Sequence, residues 1–201
     1  MMDTAPCGTL VVVSGPSGVG KTTVLRRVFR KCRLPLTHSV SATTRPPRPG
    51  EIDGIDYHFL TLEEFERRRR EGDFLECFRV FGGDYWYGTL RSEVTAGLQA
   101  GKWMVLNIDV QGALAVKRQF PDAVTMFVHP SSVDELEHRL RGRGTESEEA
   151  IQQRLREAAQ ELNMSGCYGH QVINDDVDRA VDEICSILTH TWETRQDDRR
   201  T

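Results

Sequence analysis

The chain has 201 residues, 38% of them hydrophobic and 28% charged, with a formal net charge of −4. That length suits one domain with room for an inserted lobe, and the balance of residue types excludes a disordered or fibrous chain. A mildly acidic total also argues against a protein that grips long nucleic acid through its overall field.

In chain order, residues 1–8 read as a leader expected to fray. Leu10–Val13 is an unbroken apolar run rich in β-branched residues, as in a strand buried on both faces of a parallel sheet. A helix is predicted from Lys21 to about Cys32. From residue 35 to 90 the texture changes to Ser, Thr, Pro, Gly and aromatics. Prolines 46, 47 and 49 with Gly50 and Gly54 forbid a long helix there, and Leu62–Glu71 forms one helical island. Alternation then resumes with a strand at Trp103–Ile108, a helix at Ala113–Gln119 and a strand at Val124–Val128. Ser132 to Glu135 and Thr145 to Glu148 have the spacing of capping boxes, each opening a helix. A short strand at Gln171–Ile173 and a helix from Val177 to about Thr191 follow, and 192–201 reads as an unstructured tail. Five scattered cysteines without a C-x-x-C pair indicate reduced thiols in a cytoplasmic protein. No stretch has the form of a signal peptide or membrane span.

Strands alternating with helices predict an α/β fold, a three-layer parallel sheet flanked by helices, with residues 35–90 as an insertion of different character. The core of the domain (9–191) is expected at 9–34 and 91–191.

Gly15 to Thr22, GPSGVGKT, fits G-x-x-x-x-G-K-[ST] after a strand and before a helix. Gly15, Gly18 and Gly20 permit backbone conformations that turn N–H groups inward, and the helix N-terminus favours an anion. Lys21 would reach the β- and γ-phosphates of a nucleotide, and the Thr22 hydroxyl would ligate Mg²⁺. Ser17 and Thr23 complete the expected ATP cradle. The cradle alone does not choose a reaction. A GTPase is disfavoured because none of Asn107, Asn163 and Asn174 precedes a lysine, so no N-K-x-D motif exists. A short chain with an inserted lobe points instead to a nucleoside monophosphate kinase.

At SATTRPPRPGEIDGIDYHF, taken with GPSGVGKTT, FLE, YGT, IDVQG, RLRGRG and VINDD, the chain resembles the guanylate kinases over roughly Leu10 to His190. The resemblance implies transfer of the γ-phosphoryl of ATP to GMP, and dGMP, with Mg²⁺. It further implies an inserted β-rich GMP-binding subdomain and a helical lid at about 139–158. Arg45 and Arg48 are forks suited to phosphate on a proline-stiffened backbone. By resemblance Arg45, Arg48, Tyr57 and Tyr87 hold the GMP phosphate. Guanine presents N1–H and an amino group as donors and O6 as acceptor, so a carboxylate and a hydroxyl answer it. Glu76 resembles the family's guanine-binding glutamate, Ser41 and Thr89 match hydroxyl positions near the base, and Asp109 is a second acid at a strand end. An acid facing N1 also rejects AMP, which has an acceptor there. Arg139, Arg143 and Arg154 resemble lid arginines that align and neutralise the moving phosphoryl group. Asn174 and Asp175 match positions near the adenine.

Two departures stand out. Asn107 occupies a position that is commonly acidic in the family, and the stretch VFGGDYWYGT has a loop two residues longer than usual. Arg67 to Arg70 lie among acids on the helical island, where i,i+4 pairing explains them better than nucleic-acid binding. Two rivals remain: a non-catalytic binding module, which typically degrades the cradle that is intact here, and a kinase for another acceptor. ATP and GMP are the expected partners, and neither a monomer nor a homo-oligomer is favoured.

Overall fold

The structure is a computed structural model that describes residues 8–79, 85–142 and 147–198. It forms two compact units. One comprises the chain through Ser14 together with Thr37–Thr125; the other comprises Gly15–Leu36 and Met126 onward. This division differs from the expected core and insertion, because the first strand and the Trp103 strand group with the inserted lobe.

In the first unit, β1 (Thr9–Ser14) is buried along its whole length and pairs in parallel with β7 (Trp103–Asn107), Val11 opposite Val105. Burial on both faces explains the unbroken apolar run. The start of β1 is anchored: Gly8 N–H donates to Leu98 O (2.9 Å) and Thr9 N–H to Lys102 O (3.1 Å). Gly8 is therefore fixed rather than frayed, and residues 1–7 lie outside the described ones.

The inserted lobe is a four-stranded sheet in the order β4-β3-β6-β5, made of β3 (Ser41–Thr43), β4 (His58–Phe59), β5 (Phe74–Arg79) and β6 (Trp86–Leu90). β2 (Leu36–His38) precedes it. Phe65, from α2 (Leu62–Glu71), stacks on Phe74 at 4.4 Å and on Trp86 at 5.9 Å, and this aromatic cluster is the lobe's core. α2 is capped by Thr61, whose hydroxyl accepts from Glu64 N–H, and ends at Gly72 in the left-handed region.

α3 (Arg91–Gln99) was not expected from sequence. It starts without a side-chain cap and carries Gly97, which packs against the Met104 side chain. α4 (Val110–Gln119) begins three residues before the expected Ala113, because the Asp109 carboxylate caps it, accepting from Gly112 N–H at 2.8 Å. α4 packs on both β1 and β5, which joins the lobe to the parallel strands of its unit.

In the second unit, the glycine loop leads into α1 (Lys21–Lys31), which packs along α7 (Val177–Asp198) with ion pairs Arg27–Asp178 and Lys31–Asp182. β8 (Val124–His129) pairs in parallel with β9 (His170–Ile173). α5 (Val133–Arg141) and α6 (Glu148–Asn163) pack through Leu136, Leu140, Ile151 and Ala158. Ser132 caps α5 as expected. α6 is capped by Ser147, accepting from Ala150 N–H; Thr145, where the capping box was expected to begin, lies outside the described residues. α7 runs to Asp198, so 192–198 are helical, in contrast to the unstructured tail expected there.

Candidate functional site

Three glycines shape the loop between β1 and α1. Gly15 (φ 140°), Gly18 (φ 87°) and Gly20 (φ 97°) all occupy the region that side chains rarely adopt. A Cβ on Gly20 would also lie 2.7 Å from Asn174 Nδ2, and one on Gly15 would collide with the Val128 carbonyl. Lys21, the first residue of α1, folds its ammonium group back onto the loop, donating to Gly15 O and, at 3.1 Å, to Pro16 O. Thr22 and Thr23 are exposed on the first helical turn, and Ser17 is half-buried in the loop. The loop thus presents an ammonium group, hydroxyls and a helix N-terminus together, which is what a polyphosphate requires.

The loop is braced from behind by a contact that sequence reasoning missed. Val19 O accepts from Arg139 Nη1 (3.0 Å) and from Asn174 Nδ2 (2.7 Å), and Asn174 O accepts from Arg139 Nη2 (3.1 Å). Glu135, one turn earlier on α5, pairs with the same guanidinium. Asn174, expected near the adenine, is buried, with Nδ2 and its carbonyl engaged at the loop and its Oδ1 without a hydrogen-bond partner. Asp175 is exposed, accepting from Asp176 N–H and pairing with Arg179 at the start of α7. Arg154 Nη1 lies 3.5 Å from Ser17 Oγ, so this α6 arginine also faces the loop. Arg143 lies outside the described residues. Arg141 joins α5 to α6 through Glu137 and Glu148.

In the first unit, the sheet register lines up the expected base readers. Ser41 on β3 is opposite Thr89 on β6, and Thr89 is opposite Glu76 on β5, giving one cross-strand row. From Glu76 the pairing continues unbroken to Arg79 opposite Trp86, with a register irregularity between Phe74 and Glu76; residues 80–84 of the longer loop lie outside the described ones. Thr89 Oγ1 donates to Glu76 Oε1 at 2.6 Å. Glu76 is only 8% exposed, and burial, with the Asp109 charge nearby, pushes its carboxyl up to about 7 against the Thr89 hydrogen bond. Asp109 is half-buried at the N-terminus of α4 and is already engaged as its cap.

Two residues along the same strands, Tyr87 is opposite Thr43, and its ring meets Tyr57 edge-on at 5.9 Å. Arg45 lies over Tyr57, with its guanidinium carbon 5.4 Å from the ring centroid. Its Nη1 donates to Pro46 O (2.7 Å), its Nη2 to Glu51 Oε1 (2.9 Å), and the Tyr87 hydroxyl adjoins it. Its Nε is buried without a hydrogen-bond partner, a donor still to be satisfied. Glu51, absent from the sequence reading, also accepts from Arg48 N–H at 2.7 Å and so shapes the TRPPR turn. Arg48 is exposed. The signal for Glu51 in the sequence is its spacing, six residues after Arg45 and three after Arg48.

The guanylate kinase family model matches residues 7–191. A guanylate kinase of Rhodopirellula baltica is 56% identical over 187 residues, covering 92% of this chain and 90% of its own length. One from Caldanaerobacter subterraneus subsp. tengcongensis is 49% identical, covering 90% and 86%. The crystal structure of guanylate kinase from Anaplasma phagocytophilum superposes with a TM-score of 0.77 at 30% identity, over 92% of this chain and 87% of that one.

Proposed function

Since the chain belongs to the guanylate kinase family, we propose that the glycine loop of its second unit holds ATP and the row on its inserted sheet holds GMP. The observation that carries the acceptor assignment is the Ser41–Thr89–Glu76 row, with Tyr87 two residues along β6 and Tyr57 and Arg45 gathered against it. As a carboxylate, Glu76 accepts from guanine N1–H and the amino group, Thr89 contributes by holding its Oε1, the Ser41 hydroxyl serves the O6 edge, and Asp109 supplies further negative charge. Arg45 and Arg48 meet the phosphate, with the two tyrosine hydroxyls. The same contacts admit dGMP.

In the reaction a GMP phosphate oxygen attacks the γ-phosphorus of ATP, the bond to the β,γ-bridging oxygen breaks, and its electron pair leaves on ADP. The acceptor is already ionised, so no dedicated base is needed. Lys21 leaves its loop carbonyls for the phosphates, and Arg139, Arg143 and Arg154 neutralise charge that spreads over the transferring group. Among the described residues no cluster of His, Cys, Asp or Glu suits a resident metal ion. The exposed Thr22 hydroxyl fits Mg²⁺ carried in on the triphosphate, where the ion would polarise the phosphoryl oxygens. No described helix is long and apolar enough to cross a membrane, and the described cysteines are free, which fits work in the cytoplasm.

The test is ADP release from ATP–Mg²⁺ with GMP, dGMP, AMP, CMP and UMP as acceptors. Turnover is expected with GMP and dGMP. Preference for AMP or UMP by orders of magnitude would overturn the guanine assignment, and binding without turnover would favour a scaffold module.

A further inference from the structure

The reading of Glu76 as the guanine-binding acid leaves open what aims its second oxygen. Thr89 holds Oε1, whereas Oε2 lies against Gly112 in the first turn of α4. A Cβ built on Gly112 would lie 2.9 Å from Glu76 Oε2 and 3.1 Å from its carboxyl carbon. The first is closer than real Cβ atoms come and the second is tighter than most, so a side chain there must displace the carboxylate by a few tenths of an ångström.

The helix has little freedom to retreat instead. Gln119 Nε2 at its far end donates to Leu75 O (2.9 Å), the carbonyl of the residue before Glu76. At its near end the Asp109 cap fixes the first turn, so Gly112 cannot shift within the helix. Ile108 Cδ1, 3.5 Å from the same Cβ position, closes a third side. The movable neighbour is therefore the carboxylate itself.

Gly112 has no positive φ, so its backbone does not require glycine. Glycine inside a helix lowers helix stability relative to alanine, so this glycine is not explained by helix formation. We infer that Gly112 is a positioning residue for guanine recognition: its missing side chain forms the socket that orients the Glu76 carboxylate toward the base. It acts through Glu76 and does not touch the substrate.

This inference rests on Glu76 reading guanine, and one set of variants separates the two. Gly112→Ala should raise KM for GMP about tenfold or more, the scale of one misdirected charged hydrogen-bond partner. kcat at saturating GMP and KM for ATP should stay within about threefold. The melting temperature should hold or rise, because alanine favours the helix. Glu76→Asp retracts the carboxylate by one methylene, so adding Gly112→Ala to it should cost clearly less than in the native background.

An unchanged KM for GMP in Gly112→Ala would overturn the inference, provided Glu76→Gln does raise it. A fall in melting temperature with loss of both substrates would show a general packing role, and would overturn it too. Equal costs in the native and Glu76→Asp backgrounds would break the link to Glu76. If Glu76→Gln itself leaves GMP turnover intact, the guanine reading fails instead.

Discussion

Burial holds the Glu76 carboxyl up to about 7, whereas pairing with two guanine donors requires the carboxylate. Below that value the group carries its own proton and offers one donor where guanine also offers donors. KM for GMP should therefore fall as pH rises from 6 to 8, with a midpoint near 7. In Glu76→Gln that inflection should vanish while KM rises, by roughly 10- to 100-fold for a lost charged hydrogen bond. Steady-state kinetics across that range checks both. Stability without substrate runs in the opposite direction. The folded value lies above the ordinary 4.5, so the fold loses stability as pH climbs through 4.5 toward and past 7. The limit is on the order of 3 kcal/mol. Glu76→Gln escapes that loss, so denaturant titration should find it gaining on the native chain at pH 8 relative to pH 5.

Among the elements, α5 illustrates what a motif shows and what it hides. RLRGRG marked Arg139 as a lid arginine, yet its fork in this structure grips the Val19 and Asn174 carbonyls at the glycine loop. Arg139→Ala should reduce kcat by about 100-fold or more, the scale of a removed transition-state donor, with KM for GMP little changed. Arg139→Lys should rescue poorly, because one ammonium cannot span two carbonyls in fork geometry. By contrast, Arg67 pairs with Glu64 and Glu71, and Arg68 with Glu64, on the exposed face of α2. Replacing both arginines with alanine should leave kinetics unaltered in the same assay.

Elements with caps, long apolar runs or the glycine motif before them were legible in the sequence: β1, α1, α2, β7 and β8, and the start of α5, lie within a residue or two of expectation. α3 was not, because it starts on Leu90 with no capping side chain and contains Gly97. α7 was cut short because its last turns are polar, although Thr191 and Thr194 hydroxyls bond back to Ile187 and His190 carbonyls within it. In the site, the resemblance to the guanylate kinases pointed to Glu76 and Thr89, and the TTRPPR pattern to Arg45. The cross-strand row, the Glu51 brace and the burial of Asn174 depend on register and packing, which no local pattern encodes.

At the scale of the whole molecule, the chain enters the second unit at Gly15, leaves it after Leu36 and returns at Met126. The phosphate loop and α1 thus open a unit whose remaining elements come from Met126 onward. With donor and acceptor assigned to different units, each ligand should stabilise the protein through its own residues. Thermal shift should show GMP raising the melting temperature of the native chain and of Lys21→Ala alike. The increment from ADP–Mg²⁺ should disappear in Lys21→Ala and survive in Glu76→Gln. Loss of both increments in either variant would contradict that assignment.

The stack on Phe65 also has an optical consequence. Trp86 carries the guanidinium carbons of Arg69 and Arg79 at 4.6 and 5.0 Å from its ring and directly precedes Tyr87 on β6. Indole emission responds to nearby charge, so a dianion arriving beside Tyr87 should change this signal. Of the other two tryptophans, Trp103 is buried in β7 and Trp192 lies in α7. With both replaced by phenylalanine, the protein becomes a single-fluorophore sensor whose colour change upon titration reads GMP occupancy without any coupling enzyme.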